Sequence, residues 1–224
     1  MSIEFKNVSK KLGNNIVINN VNIEIKKGIV TGLKGINGSG KTMMMRLIAG
    51  LIYATKGEVV IDGKVLGKDI SFPPSIGLML ENPAFLPGYN GFDNLKMLAS
   101  IKGEIKDEKI DEVLETVGLA AIDKKYRKYS LGMKQRLGIA AAIMEEPDII
   151  LLDEPTNSLD ASGQEMVREI VAREKERGAT VILSCHDSAL LESMCDEIFN
   201  IEVGEITAHY VPQKVPHNFD GNNK

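Results

Sequence analysis

Apolar and polar positions alternate over residues 3–8 and again over 16–25, the period of two that predicts half-buried β-strands. Residues 29–33 are apolar apart from Thr31 and Gly32, which predicts a strand covered on both faces. A glycine-rich stretch, 35–42, comes next, and then an apolar, helix-prone run at 43–49 that Gly50 stops. Met43, Met44 and Met45 are read as core positions of that helix. Residues 58–61 followed by Asp62-Gly63 predict a hairpin, and residues 76–80 predict a further strand.

The period then changes. Residues 92–101, 107–117 and 132–144 each carry apolar side chains at spacings of three and four, which predicts three helices. Strands return after Pro147 at 149–152 and 181–184, separated by a helix over 162–177, with a last strand near 197–203. Alternation of strand and helix predicts an α/β fold on a mostly parallel, covered sheet, interrupted by helices over about 84–145. One domain over 1–211 is expected, then a polar tail over 212–224 with two prolines.

Composition narrows the function classes. The 224 residues carry 27 basic and 31 acidic side chains, a formal charge of −4, with 43% hydrophobic and 5% aromatic content. A chain of this size is expected to bury roughly 70% of its unfolded surface and to need no staple. Cys185 and Cys195 have no CxxC spacing and read as reduced, buried thiols. The longest run free of Asp, Glu, Lys and Arg, residues 12–23, is 12 long, whereas a membrane-spanning helix needs about 20 apolar residues. No secretory leader opens the sequence, so a cytoplasmic location is expected. The mildly acidic balance argues against broad nucleic-acid binding, so an anionic ligand has to be held locally.

Such a holder is present in Gly35-Ile36-Asn37-Gly38-Ser39-Gly40-Lys41-Thr42. Glycines let successive backbone N–H groups turn inward around phosphate oxygens, Lys41 reaches the β and γ phosphates, the Thr42 hydroxyl ligates Mg²⁺, and the helix that follows points its positive end at the anion. Carboxylates for Mg²⁺ and hydrolysis come at the end of a strand, Ile149-Ile150-Leu151-Leu152-Asp153-Glu154. Asp153 emerges at the carboxyl edge of an open sheet, where such folds place ligands, and holds the metal; Glu154 is set to orient or deprotonate the attacking water.

Three further elements accompany these: Ser130-Leu131-Gly132-Met133-Lys134-Gln135-Arg136 ahead of an apolar helix, Ser158-Leu159-Asp160 soon after Glu154, and His186 at the end of a strand. The set resembles the ATP-binding subunit of ABC transporters from residue 3 to about 206. The resemblance implies a P-loop NTPase fold with an antiparallel β portion near the N-terminus and an inserted helical subdomain. It implies an ATPase that works as a head-to-tail dimer, a homodimer or a heterodimer with a second ATPase subunit, clasping two ATP–Mg²⁺. In such a dimer Ser130, Gly132 and Met133 would meet the γ-phosphate held by the opposite subunit, and Asp160 would lie at the subunit boundary. His186 would bond the γ-phosphate. The implied partner is an integral membrane permease, which would keep the chain on the inner face of the membrane, with no nucleic acid involved. By position alone, Ser130 is also a plain helix N-cap and so is the 158–160 segment.

The sequence departs from the family pattern in places. Leu12 stands where an aromatic ring usually stacks on adenine, leaving Phe5 or Tyr53 as substitutes. Glu81 replaces a glutamine that contacts Mg²⁺ and water; a carboxylate still ligates the metal but adds negative charge. Tyr129, Leu131 and Met133 replace the usual Leu, Gly and Gln, and Tyr-Ser-Leu-Gly-Met-Lys-Gln-Arg looks like the subfamily that exports, or confers immunity to, peptide antibiotics such as bacitracin and lantibiotics. Residues 83–89 carry Phe85 and Tyr89, which either form a groove for a short helix of a membrane subunit or tuck under their own loop. Lys124, Lys125, Arg127 and Lys128 read as a solvated face. Two rival classes stay open here, a soluble ABC-type ATPase acting on nucleic acid or translation, and a regulatory module that binds ATP but hardly turns it over.

Overall fold

The computed structural model describes residues 1–80, 83–103, 105–120 and 122–213. Glu81 and all but two residues of the expected tail lie outside them. The chain opens with a hairpin of β1 (Ile3–Leu12) and β2 (Asn15–Ile25), whose buried positions largely alternate. β1 continues beyond the predicted end at Val8. Register shifts after Phe5, with Asn7 at φ 51, break the alternation from which its length was read. Strands β4 (Lys56–Ile61) and β5 (Lys64–Val65) complete an antiparallel sheet in the order β2-β1-β4-β5. Asp62 and Gly63, both at positive φ, make the tight turn between them.

A second sheet of six strands has the order β10-β9-β3-β8-β7-β6. Its members are β3 (Val30–Lys34), β6 (Ile76–Met79), β7 (Ile149–Leu152), β8 (Thr180–Ser184), β9 (Glu197–Glu202) and β10 (Glu205–Tyr210). All its pairings are parallel except that of β10 with β9 at the edge. The helices are α1 (Lys41–Ile48), α2 (Gly91–Ala99), α3 (Asp107–Thr116), α4 (Leu131–Ile143), α5 (Ala161–Glu176) and α6 (Ser188–Met194).

Two cores meet on this sheet. Ile149 and Leu151 of β7, with Leu33, Ile182 and Ile201, belong to a cluster shared with the antiparallel sheet and with Met44, Met45, Leu47 and Ile48 of α1. Ile150 and Leu152, with Val30, Val181 and Leu183, pack in the other cluster against side chains of α2 to α6. β7 therefore has four successive apolar residues because both of its faces are covered.

This is the predicted fold class, with α2, α3 and α4 inserted between β6 and β7. Two elements had not been expected. Helix α6 is only seven residues long, yet Asp187 caps it through Ala189 and Leu190. Strand β10 follows a turn at Val203 (φ 48) and Gly204, and four of its six residues are exposed.

Candidate active site

Because β3, β8 and β7 are adjacent and parallel, their carboxyl ends bring together the glycine loop, the Cys185-His186 pair and the Asp153-Glu154 pair. Sequence-distant groups thus share one edge.

The loop is shaped by its glycines at two points. Gly40 sits at φ 119, a left-handed conformation that a side chain would strain, and immediately precedes α1. A Cβ on Gly35 would lie 2.3 Å from the Ile201 carbonyl oxygen, so no other residue fits there. No side chain caps α1, which leaves the amides at its start directed into the loop. Lys41 is buried, and its ammonium donates to the carbonyls of Gly35 (2.7 Å) and Ile36 (3.0 Å), folding the loop around itself. The Ser39 carbonyl accepts from Gly204, which ties the loop to the β9–β10 turn.

Thr42 Oγ1 donates to Asp153 Oδ2 at 2.5 Å, and Ser184 Oγ donates to Asp153 Oδ1 at 2.6 Å. Asp153 is thereby fixed between α1 and β8. Glu154 sits at φ 52, unusual for a residue other than glycine. Its N–H donates to Ser184 Oγ (2.9 Å), and its Oε2 accepts from the backbone N–H of His186 (3.1 Å). His186 Nε2 lies 3.4 Å from Glu154 Oε1, within ion-pair distance, but without hydrogen-bond alignment, so that buried oxygen has no hydrogen-bond partner. Burial pushes the Glu154 carboxyl above the usual carboxylate range, opposed in part by His186 and Lys41.

A cleft of about 1070 Å³ runs from Leu12 and Val17 past Gly38, Gly40, Lys41, Thr42, Asp153 and Glu154 to Phe85, Leu131, Lys134 and Gln135 of the helical region. Such a volume suits a nucleoside triphosphate. Ile36, Asn37, Gly38 and Ser39, with Cys185 and His186, line a second cavity of about 550 Å³. Neither proposed aromatic substitute faces the cleft. Phe5 is in the core shared by the sheets, and Tyr53 packs on Gly67 beside a separate cavity. Leu12 and Val17 give that end of the cleft an aliphatic wall.

Ser130 is the N-cap of α4, accepting from the Met133 N–H at 3.2 Å, and Asp160 caps α5 through Gly163 at 2.9 Å. The same bond holds the Asp160 carboxyl below its ordinary range. Within one chain Ser130, Gly132, Met133 and Asp160 do not line the cleft. Phe85 tucks under its loop, edge-on to Tyr126 at 5.4 Å, while Tyr89 stays half exposed. Asn94 holds that loop through the Leu86 amide and the carbonyls of Leu86 and Asn90. The four basic residues of 124–128 are exposed, and both cysteines are buried thiols outside any disulfide.

Two residues without a sequence-based role enter the site. Ser184 bonds both acidic residues, and it is the hydroxyl that ends an otherwise apolar run. Gln135 donates from Nε2 to the Glu154 carbonyl at 2.7 Å, a polar residue on the buried side of α4.

A parallel sheet whose carboxyl edge carries a glycine loop, a lysine at a helix start and a strand-terminal Asp-Glu pair defines a P-loop nucleoside triphosphatase. The sequence profile of the family described as "ABC transporter" matches residues 18–157, more than half of the chain. An uncharacterized ABC transporter ATP-binding protein, YybJ of Bacillus subtilis (strain 168), is 46% identical over 205 residues, 91% of this chain and 94% of that protein. The bacitracin transport ATP-binding protein BcrA of Enterococcus faecalis is 37% identical, covering 91% of this chain and 67% of that protein. The lantibiotic transport ATP-binding protein SrtF of Streptococcus pyogenes is 36% identical, covering 91% and 88%. Among solved structures, the dimeric post-hydrolysis state of the ATP-binding cassette MJ0796 bound to ADP and Pi is similar at TM-score 0.85 and 26% identity, covering 94% of this chain and 99% of that one. The chain belongs to the ABC transporter family, as an ATP-binding cassette that hydrolyses ATP to energise transport. Among the described residues no helix is long and apolar enough to cross a membrane.

Proposed function

We propose that this cassette drives export of, or immunity to, peptide antibiotics of the bacitracin or lantibiotic kind, as a head-to-tail dimer on the inner face of the membrane beneath a permease. The substrate class is supported by identity to BcrA and SrtF across 91% of the chain. A single observation carries the dimer: one chain lines its cleft with the phosphate loop and Glu154, while Ser130, Gly132 and Asp160 stay outside it. A second copy, or a related subunit, supplies those groups across the nucleotide. The half-exposed Leu86 and Tyr89, beside Lys124, Lys125, Arg127 and Lys128, suit a cytoplasmic helix of the permease.

In this reading the amides of 35–40 and the start of α1 hold the β and γ phosphates, with Lys41 turning from the loop carbonyls to the γ-phosphate. Glu154 takes the proton of the attacking water, and His186 steadies water and γ-phosphate. The raised carboxyl of Glu154 favours such a base. Mg²⁺ fits the oxygen donors present, since the Thr42 hydroxyl and an Asp153 carboxylate oxygen lie 2.5 Å apart at the loop. Thr42, Asp153 and Glu81 would hold it. Bound there, the ion would neutralise phosphate charge. Binding closes the dimer because phosphate charge is met by Lys41 on one side and by the capped start of α4 on the other; hydrolysis removes that bridge.

The test is Glu154→Gln with ATP–Mg²⁺: hydrolysis falls at least ~100-fold, as removal of a positioned base predicts, and light scattering reports a stable dimer. Monomers with ATP bound would refute the sandwich. Co-expression with a membrane protein encoded beside it raises bacitracin or lantibiotic tolerance in a sensitive host, and Glu154→Gln removes that gain.

A further inference from the structure

Helix α4 reaches the catalytic strand as well as the helical region. Gln135 is buried, and its amide donates to the backbone carbonyl of Glu154 at 2.7 Å. On the other side of the same residue, the Glu154 N–H donates to Ser184 Oγ at 2.9 Å. The peptide between these clamps has φ 52. A residue with a side chain leaves that region unless its surroundings hold it there. Among the described residues the carbonyl has one other partner, the Asn157 N–H at 3.2 Å, which is part of the same turn and moves with it. The outside grip on that carbonyl is therefore the Gln135 amide. Two more contacts join α4 to the segment that leaves Glu154. A Cβ on Gly132 would lie 2.9 Å from the Ser158 carbonyl oxygen, and Arg136 stands 3.8 Å from the Asp160 carboxylate. Ser158 itself sits at φ 61.

We propose that Gln135 is a positioning residue: its amide holds the left-handed peptide of Glu154 so that the orientation of α4 and the aim of the Glu154 carboxylate are set together. Loss of the donor lets the peptide turn back to an ordinary φ, which swings the carboxylate away from the cleft without touching the phosphate loop. Since α4 begins at Ser130, whatever engages that end of the helix also acts on the base in the same chain. The inference rests on the role given to Glu154 above.

The test compares Gln135→Met, which keeps length and helix propensity but has no donor, with Gln135→Asn, which keeps the amide but draws it back by one methylene. In the full-length protein with ATP–Mg²⁺, both variants lower kcat at least tenfold and leave the nucleotide dissociation constant within twofold. Combined with Glu154→Asp, either variant adds no further loss, because both act on one carboxylate. Unchanged kcat, a loss of affinity equal to the loss of rate, or additive losses with Glu154→Asp would each overturn the proposal. If Glu154→Gln alone hydrolyses normally, the reading of Glu154 fails; if it is inactive while Gln135→Met turns over normally, only the role of Gln135 fails.

Discussion

Two helix starts face opposite duties in this molecule. Helix α1 begins at Gly40 with no side-chain cap, whereas α4 begins at Ser130, whose hydroxyl already accepts from Met133. The first leaves amides unsatisfied and surrounds them with a loop that Lys41 folds inward. The second is self-satisfied, and although Leu131 lines the cleft, the cap residue Ser130 stands outside it. An open start alone is not a site, since α3 also lacks a side-chain cap, but there Asp107 and Glu108 occupy its first turn and would repel an anion. What separates α1 is the lysine and the glycine geometry around its open amides.

The hardest blow to that contrast is Lys41→Ala. It removes the cation at the open start and is expected to weaken ATP binding at least 100-fold, about 2.7 kcal/mol, as calorimetry would read; unchanged affinity would end the phosphate-loop assignment. Ser130→Ala acts at the other start. ATP affinity of the single chain should hold within about twofold while turnover and ATP-dependent dimerisation fall about tenfold, alongside about 1 kcal/mol of stability for the lost cap. A variant that loses the cap but keeps full turnover and dimer would reduce Ser130 to a structural residue. Smallest is Leu12→Tyr, a ring added to the aliphatic wall of the cleft. It should tighten ATP by about 0.5–1.5 kcal/mol, the usual worth of an aromatic pair, with less gain for a pyrimidine nucleotide. Equal gains for both would mean that the base does not lie there.

Legibility in the sequence followed the strength of the local pattern. The strand at 149–152 and the helix now bounded as Ala161–Glu176 were plain because long apolar or amphipathic runs fix them. Helix α6 was missed because seven residues offer barely two turns of period, although the Asp187 cap and the spacing of Leu190, Leu191 and Met194 were there to read. β10 was missed because four of its six residues are exposed and the other two, Ile206 and Tyr210, are only partly buried, so this edge strand shows no apolar alternation. In the site, motif residues were legible because their chemistry is tied to spacing. Ser184 and Gln135 were not, since their roles are hydrogen bonds to acidic residues 31 or 30 and 19 positions away, a proximity set by sheet order and helix packing. Phe85 and Tyr89 resisted for a related reason. Which aromatic of a loop turns inward depends on the Tyr126 ring that waits for it, and only Phe85 meets that ring edge-on.

The interleaving of Ile149 and Leu151 into one core with Ile150 and Leu152 into the other makes β7 an anvil. Sliding it by even an ångström would open voids in two layers at once, and close-packed interiors resist that strongly. Asp153 and Glu154 therefore ride on a strand gripped from both faces, and the strokes of each working cycle have to be delivered by what surrounds them.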